Sequence, residues 1–195
     1  MSTFHNIKNW IQEELQAAHV SYLLKRKKYD KLLDMIHYDQ YLGDGISRET
    51  FRLSKRVVVK VLVDPDCRQS AHELAFYQKH YNDFSKYMCK MYGYFQDLNR
   101  GMVLFMEKVE PLGMSLYQYF EEHPDQEEAE QALMEFIDAT YLTDSLNNEG
   151  NAGINRKGEV VILDCGISHD GDFAHLCTFD RSRGYGYSYR ARYCY

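Results

Sequence analysis

The sequence predicts an α+β fold in which N-terminal helices precede a small antiparallel sheet with one helix, and a mostly helical part follows. Three observations support this prediction. Apolar residues recur at helical spacing over residues 6–37, β-branched and aromatic runs separated by turns occupy residues 41–106, and helical spacing returns over residues 112–142. At 45% hydrophobic and 27% charged residues, the chain of 195 residues can bury a sizeable core.

The N-terminal segment is predicted to form one or two amphipathic helices that pack on one lobe of the protein. The apolar residues that recur at three- and four-residue steps are Ile7, Trp10, Ile11, Leu15, Ala18, Tyr22, Tyr29, Leu32, Leu33 and Ile36. This segment is also a candidate surface for a partner protein or for homo-oligomer formation. The basic run Lys25-Arg26-Lys27-Lys28 fits either an anion contact or a solvated helix face.

The predicted sheet begins after a glycine-rich segment. Leu42-Gly43-Asp44-Gly45 is typical of a turn, because paired glycines permit positive φ angles. Residues 50–53 and 57–63 are apolar and β-branched with a short link between them, which predicts a hairpin. Helical spacing over residues 71–81 follows, and residues 90–95 and 102–106 are predicted as two further strands.

The second half of the chain is predicted to contain two helices and one clear strand. Residues 112–122 and 127–142 have helical spacing, and residues 144–151 are predicted as a loop. The strand covers residues 160–163 and runs into Asp164-Cys165-Gly166. The tail, residues 181–195, combines four arginines with five tyrosines and no acid, which predicts a flexible or partner-ordered end.

Composition excludes several classes of protein. With 23 Lys and Arg against 29 Asp and Glu, the net charge of −6 argues against general nucleic-acid binding. Because no apolar run approaches the ~18 residues of a membrane span and the N-terminus lacks the pattern of a secretory signal, we expect no membrane partner. The five cysteines are scattered and without CxxC spacing, which favours reduced thiols in a cytoplasmic location.

A lysine inside an apolar strand is the first chemical signal. Lys60 has three valines before it and three apolar residues after it, so its ammonium group carries a desolvation cost of several kcal/mol unless it meets an anion. Glu73, on the following predicted helix and between apolar neighbours, is a natural partner for it. Gly43 and Gly45 lie in a loop whose backbone could approach a polyphosphate, although an ordinary hairpin turn explains them as well.

A second signal is a pair of oxygen ligands. Asn151 precedes a predicted hairpin, and Asp164 ends its apolar strand. A hairpin that brings these two side chains together offers ligands of the kind that Mg²⁺ prefers.

The order of these pieces resembles the protein kinase family. The glycine loop, strand lysine, helix glutamate, asparagine and Asp-x-Gly follow one another as in that family, and the Asn151–Asp164 separation of 164 − 151 = 13 residues is similar to its usual spacing. Residues 103–109, Val-Leu-Phe-Met-Glu-Lys-Val, resemble the strand that enters the interlobe hinge, and residues 116–120 resemble the helix after it. Residues 42–53 are similar to the phosphate loop of small kinases encoded by bacteriophages. The resemblance covers roughly residues 41–168.

The resemblance implies a site for ATP and Mg²⁺. Lys60 would hold the α- and β-phosphates and pair with Glu73, while Asn151 and Asp164 would hold Mg²⁺. The loop amides at Gly43 and Gly45 would contact the phosphates. Hinge backbone from Glu107 to Val109 would face adenine, and Met106 would lie at the gatekeeper-like place of the nucleotide site. The implied segments are an N-terminal extension (1–40), an N-lobe with hinge (41–109), a reduced C-lobe (110–180) and the tail (181–195).

The catalytic loop departs from the family pattern. The family places its catalytic Asp five residues before the metal-binding Asn, which is Leu146 in this chain, and a leucine cannot accept a hydroxyl proton. Asp144 could serve if the loop is two residues longer, or it could cap the preceding helical region. The usual Asp-Phe-Gly is Asp164-Cys165-Gly166, in which Cys165 could be a redox-sensitive thiol or a small buried residue.

Two functions follow as hypotheses. The first is an ATP·Mg²⁺-dependent phosphotransferase that acts on protein Ser, Thr or Tyr, and the second is a nucleotide-binding pseudokinase that inhibits or scaffolds a partner protein. A small-molecule kinase of the aminoglycoside phosphotransferase kind ranks last, because such enzymes usually carry an Asp where this chain has Leu146. Similarity to bacteriophage kinases implies action on host proteins in a bacterial cytoplasm. A zinc site at His169, His175 and Cys177 lacks a paired ligand motif.

Overall fold

The computed structural model describes residues 2–45, 47–65, 67–142 and 144–165, without the side chains of residues 2–5, 144 and 145. The chain forms two compact units. The first contains Met1–Pro65 and Lys90–Lys108, and the second contains Asp66–Cys89 and the chain from Val109 onwards. The predicted α+β class is confirmed.

The first unit is built on a five-stranded antiparallel sheet with the strand order β1-β2-β3-β5-β4. Its strands are β1 (Tyr41–Asp44), β2 (Arg48–Arg52), β3 (Val57–Leu62), β4 (Met91–Asp97) and β5 (Gly101–Glu107). The predicted hairpin of β2 and β3 is confirmed, and so are the two later strands. The β-branched run of β3 lies in the middle of the sheet, where such side chains pack well against both neighbours.

The position predicted for the first turn was wrong. The segment Leu42-Gly43-Asp44 belongs to strand β1, where Gly43 lies opposite Thr50 and Asp44 lies opposite Glu49. The turn begins one residue later, at Gly45, whose N–H donates to the carbonyl oxygen of Arg48 at 2.8 Å. A register shift between Tyr41 and Gly43 accommodates the glycine in the strand. Pairing with β2 therefore overrides the local preference of glycine for a turn.

Two helices cover one face of this sheet, as the sequence predicts. They are α1 (Ser2–Lys25) and α2 (Tyr29–Leu33), followed by a 3₁₀ turn at Tyr38–Gln40. The core between helices and sheet contains Val20, Leu23, Leu32, Leu33, Phe51, Leu53, Val57, Val59, Val61, Val103 and Phe105. The side-chain nitrogen Nε2 of Gln16 also donates to the carbonyl oxygen of Leu53 at 2.8 Å, and the ammonium group of Lys55 donates to the carboxylate of Glu14. These contacts fix the C-terminal half of α1 on the sheet.

The face of α1 that packs is not the face with the regular apolar spacing. Ala17, Val20 and Leu23 are buried on α1. The opposite face is exposed, and we call it the α1 stripe: Ile7, Trp10, Ile11, Leu15, Ala18 and Tyr22. The helix therefore has two apolar faces, and the described sheet covers only the shorter one.

The second unit combines helices with a three-stranded antiparallel sheet of order β6-β7-β8. Its elements are α3 (Gln69–Phe84), β6 (Glu110–Pro111), α4 (Leu116–Glu122), α5 (Glu127–Thr140), α6 (Asp144–Asn147), β7 (Ala152–Ile154) and β8 (Val160–Ile162). The predicted helices are confirmed, although α4 begins later than predicted, because Ser115 caps it by accepting from the N–H of Gln118 at 3.2 Å. The predicted loop at 144–151 contains the short helix α6.

The core of the second unit holds the β7–β8 hairpin in place. Its largest fully buried side chains include Phe76, Leu116, Leu133, Phe136, Ile137, Leu142 and Ile162. Strand β8 is anchored on its outer edge, where the N–H of Ile162 donates to the carbonyl oxygen of Tyr87 at 2.8 Å and the N–H of Cys89 donates to the carbonyl oxygen of Ile162 at 2.9 Å. Among the helices in the described ranges, none has both the length and the apolar character needed to span a membrane.

Candidate functional site

The residues predicted to bind nucleotide and metal fall in both units. The first unit carries Gly43, Gly45, Lys60, Met106 and Glu107, and the second carries Glu73, Val109, Asp144, Asn151 and Asp164.

Lys60 lies in the centre of the five-stranded sheet. It is opposite Thr50 on β2 and Leu104 on β5, so strands flank it on both sides. Because side chains alternate along a strand, Lys60 points to the face away from Val59 and Val61, which belong to the core under α1 and α2. Lys60 is half-buried between strongly buried neighbours. Contact of its ammonium group with an anion stays a prediction.

The backbone amides of Gly43 and Gly45 are less available to a phosphate group than the sequence suggests. Gly43 is buried within strand β1, and the N–H of Gly45 already donates to the carbonyl oxygen of Arg48. A phosphate group that binds through the Gly45 amide would have to replace that hydrogen bond. The role of these two amides in phosphate binding stays a prediction.

A contact at this turn was not predicted from the sequence. The hydroxyl group of Tyr41 donates to the carboxylate oxygen Oδ1 of Asp44. This hydrogen bond is the main cause that raises the pKa of Tyr41 to about 12, with burial as a smaller cause. The ring of Tyr41 stacks on Tyr38 with ring centres 5.8 Å apart. The three-residue spacing of Tyr41 and Asp44 would signal the pair only to a reader who already knew that this segment is a bulged strand.

The predicted hinge follows the end of β5. Met106 and Val109 are buried, and Glu107 is half-buried. The N–H of Glu107 donates to the carbonyl oxygen of Lys90 at 2.8 Å. The N–H of Lys108 donates to the carbonyl oxygen of Arg56 at 2.9 Å. Neither of these two N–H groups is therefore directed at a ligand, and contact with adenine stays a prediction.

Glu73 is the buried carboxylate of the second unit. It lies in the second turn of α3 with 1% of its surface exposed. A carboxylate so deeply buried is costly unless it meets a hydrogen-bond donor or a cation. Its pairing with Lys60 stays a prediction.

Asn151 and Asp164 are brought together by the β7–β8 hairpin. The last paired residues of that hairpin are Ala152 and Ile162. Beyond them the N–H of Leu163 donates to the carbonyl oxygen of Asn151 at 2.7 Å, so the ladder continues to Asn151 and Asp164 follows directly. Both residues are half-buried. The hairpin thus places an amide and a carboxylate at one end of a rigid element.

Asn151 and Asp164 together offer two side chains as ligands for a metal ion. In the part of the chain that the structure describes, no group of three or more His, Cys, Asp and Glu side chains could hold a metal ion. Mg²⁺ is commonly held by one or two protein oxygens together with substrate phosphates and water. Binding of Mg²⁺ by Asn151 and Asp164 together with a nucleotide stays a prediction.

The loop predicted to be catalytic, residues 144–151, begins with one turn of helix. Asp144 is the first residue of α6, and its side chain lies outside the described atoms. Leu146, two residues on, packs against the hydrophobic core of the second unit. Its side chain is therefore part of the fold at the position where a kinase would have its catalytic Asp.

The remaining candidates from the sequence are Cys165, a possible zinc site and the C-terminal tail. Cys165 is 5% exposed and belongs to the core, which agrees with the interpretation as a small buried residue. The zinc candidates His169, His175 and Cys177, and the tail at 181–195, lie outside the described residues. No protein-family model matches the chain, and no curated protein matches it.

Proposed function

We propose that this protein binds ATP with Mg²⁺ and transfers the γ-phosphoryl group to Ser, Thr or Tyr of a protein. The observation that carries the proposal is the end of the β7–β8 hairpin, where Asn151 and Asp164 are adjacent. In this proposal the two side chains hold Mg²⁺ through their oxygen atoms. Lys60, half-buried on the central strand β3, holds the α- and β-phosphates.

The physical case rests on charge. Phosphoryl transfer depends mostly on the positioning of phosphates and the neutralisation of their charge. Lys60 supplies a charge on a strand paired on both sides, and Asn151, bonded to Leu163 at the end of the hairpin, supplies with Asp164 the proposed metal ligands. The same proposal gives Glu73 the part of partner to Lys60, and Asp144 the part of base.

The proposal extends to the phosphoryl acceptor and to the cellular location of the reaction. The acceptor is a protein, and for a bacteriophage product the host cytoplasm supplies both it and ATP. The tail, residues 181–195, carries five tyrosines and offers acceptors within the chain itself. Homo-oligomer formation through the N-terminal helices is a separate proposal.

The test compares two aspartates. Asp164→Asn removes the charge but keeps the shape of the proposed ligand, and Asp138→Asn makes the same change on the exposed side of α5. With γ-labelled ATP, Mg²⁺ and an array of peptides that carry Ser, Thr or Tyr, we expect label transfer by the wild type and by Asp138→Asn, and at least a tenfold loss in Asp164→Asn. Equal transfer by all three proteins would show that this site does not carry the activity.

The packing of Leu146 favours a second function. Leu146 packs against the core of the second unit, so the loop has no carboxylate at that position, as in a pseudokinase that binds nucleotide and a partner protein. Thermal unfolding with and without ATP·Mg²⁺ separates the two functions. A ligand that binds only the folded state stabilises it by about 2.7 kcal/mol at 100 times its dissociation constant. Stabilisation that Asp164→Asn abolishes, without label transfer in the wild type, would identify the pseudokinase.

A further inference from the structure

The first side chains of α1 that the structure describes, those of residues 6–13, are not buried by packing. Every residue from 6 to 13 is exposed, and the burial of α1 begins at Ala17. Helices in proteins gain most of their stability from the packing of an apolar face, and short isolated helices are marginal in water. About two turns of this helix therefore lack the stabilisation that packing would supply within the described chain.

The exposed α1 stripe is apolar and continuous. Ile7 is 50% exposed, Trp10 58% and Leu15 65%, and Ile11 and Tyr22 are similarly open. Members recur after eleven residues, Ile7 with Ala18 and Ile11 with Tyr22, so the stripe runs almost straight along the helix. At roughly 200 Å² for a fully exposed side chain of this size, the five large residues expose about 500 Å².

We infer that the α1 stripe is the contact surface of a homodimer in which two copies of α1 pack antiparallel about a two-fold axis. Complete burial of two such stripes against each other would remove at most about 1,000 Å² from water, which is close to the lower limit for a specific interface, and neighbouring residues would add to this area. A two-fold interface uses the same surface on both copies, so one stripe is sufficient to form it. The inference does not depend on the proposed function.

The stripe is complementary to itself in the antiparallel direction. With the axis between Glu14 and Leu15, Ile11 of one copy lies opposite Ala18 of the other, and Ile7 lies opposite Tyr22. A large side chain then meets a small one in the middle of the contact, as helix packing requires. A parallel pair would place Ala18 against Ala18 and leave a gap.

Charge favours the same direction. The basic run Lys25-Arg26-Lys27-Lys28 follows directly after the stripe. A parallel pair would set two such runs side by side, whereas an antiparallel pair keeps them at opposite ends. Glu14 lies on the stripe face and is held by Lys55 and Arg56, which lowers its pKa, chiefly through the hydrogen bond from Lys55. Because each Glu14 is already paired with Lys55 and Arg56 of its own chain, the two carboxylates near the two-fold axis do not meet as unpaired charges.

The first test is the mass of the full-length chain in solution. Sedimentation velocity at micromolar concentration is expected to give twice the mass of one chain for the wild type. Ile11→Gln combined with Leu15→Gln removes apolar surface from exposed helical positions, so we expect a folded protein whose dimer dissociation constant rises at least tenfold. Leu98→Gln is the matched control, because Leu98 is 98% exposed in the turn between β4 and β5. This control is expected to remain a dimer.

The second test fixes the direction of pairing. In a background with Cys67, Cys177 and Cys194 changed to Ser, a mixture of Ile11→Cys and Ala18→Cys chains is expected to form a disulfide-linked pair under mild oxidation. Ala18→Cys chains alone are expected to stay unlinked. A linked Ala18→Cys pair would overturn the antiparallel arrangement.

Three outcomes would overturn the inference as a whole. The first is a wild-type chain that sediments as a monomer. The second is a dimer that the Ile11→Gln and Leu15→Gln changes leave intact. The third is a monomer that binds vesicles of anionic lipid through the stripe, which would make the stripe a membrane surface.

Discussion

The carbonyl oxygen of Asn151 accepts a hydrogen bond from the N–H of Leu163 at 2.7 Å. This bond lies one position beyond the last residues paired in the β7–β8 hairpin, Ala152 and Ile162. It links Asn151, one proposed metal ligand, to the residue directly before Asp164, the other. The position of Asn151 therefore depends on strand β7, and whatever displaces β7 displaces the proposed metal site.

Gly153→Ala is expected to disturb that site from a distance. A Cβ atom at Gly153 would lie 2.5 Å from the carbonyl oxygen of Glu110 and 2.7 Å from a methyl carbon of Val109. Because β6 pairs with β7 at this point, the strands must move apart, at a cost of about 1–3 kcal/mol in the free energy of unfolding. We expect denaturant unfolding to show this loss, and thermal unfolding to show a smaller stabilisation by ATP·Mg²⁺.

Gly113→Asn is the control for this change. Gly113 has a positive φ of 70° and open space around it, and asparagine tolerates that conformation. We expect a smaller loss of stability than for Gly153→Ala, because backbone strain opposes this change but no steric clash does. Stabilisation by ATP·Mg²⁺ that is the same in Gly153→Ala and in the wild type would contradict the link between β7 and the metal site.

In the first unit, Gly93 and Tyr29 form a pair that can be tested by a double-mutant cycle. A Cβ atom at Gly93 would lie 2.6 Å from the hydroxyl oxygen of Tyr29, whose ring is stacked on Phe105 with centres 5.3 Å apart. Gly93→Ala is expected to cost about 1–3 kcal/mol, because the stacked ring cannot move freely. In a Tyr29→Phe background the nearest atom is absent, so the same change should cost less. Equal costs in both backgrounds would show that the hydroxyl group is not the obstacle.

The sequence predicted the elements of this fold better than their packing. Strands β2 to β5 and the longer helices are long, regular segments whose periodicity is set by local geometry. The packed face of α1 was not predicted, because Ala17, Val20 and Leu23 are fewer and smaller than the residues of the α1 stripe. Only the sheet in three dimensions decides which of the two faces is covered. The position of the first turn failed for a related reason, since pairing with β2 holds Gly43 in a strand.

The part of the candidate site that could be predicted is the pair of residues at the two ends of one hairpin. Asn151 and Asp164 flank β7 and β8, so a hairpin between them necessarily brings their backbones together. The bond between Tyr41 and Asp44 could not be predicted in this way, because it depends on the register shift in β1. The packing of Leu146 was also hidden, since a single leucine in a predicted loop carries no periodicity.

The hydrogen bond from Tyr41 to Asp44 predicts a pH dependence at the glycine turn. The bond raises the pKa of Tyr41 from 10.0 to about 12. Because the folded state holds this proton more tightly than the unfolded chain does, the stabilisation is complete below pH 10 and is lost as the pH rises through about 12. We expect the ultraviolet difference spectrum between the wild type and Tyr41→Phe to show a tyrosine titrating near pH 12.

Asp44→Asn is the partner change for that titration. It removes the carboxylate that accepts the bond, so the pKa of Tyr41 should fall towards its ordinary value of about 10. Burial of Tyr29 also raises the pKa of that residue, and its titration should be the same in both proteins. A Tyr41 titration that Asp44→Asn does not move would assign the shift to another cause.

Asp144 and Leu146 are expected to respond to substitution in opposite ways. If Asp144 at the start of α6 is the base, Asp144→Asn should lower label transfer from ATP by about 10²–10⁴-fold and leave stabilisation by ATP·Mg²⁺ unchanged. Leu146→Ala should instead lower the free energy of unfolding by about 1–3 kcal/mol, because Leu146 packs against the core, and leave transfer per folded molecule unchanged. Transfer that survives Asp144→Asn would remove Asp144 from the mechanism and leave catalysis to phosphate positioning and charge.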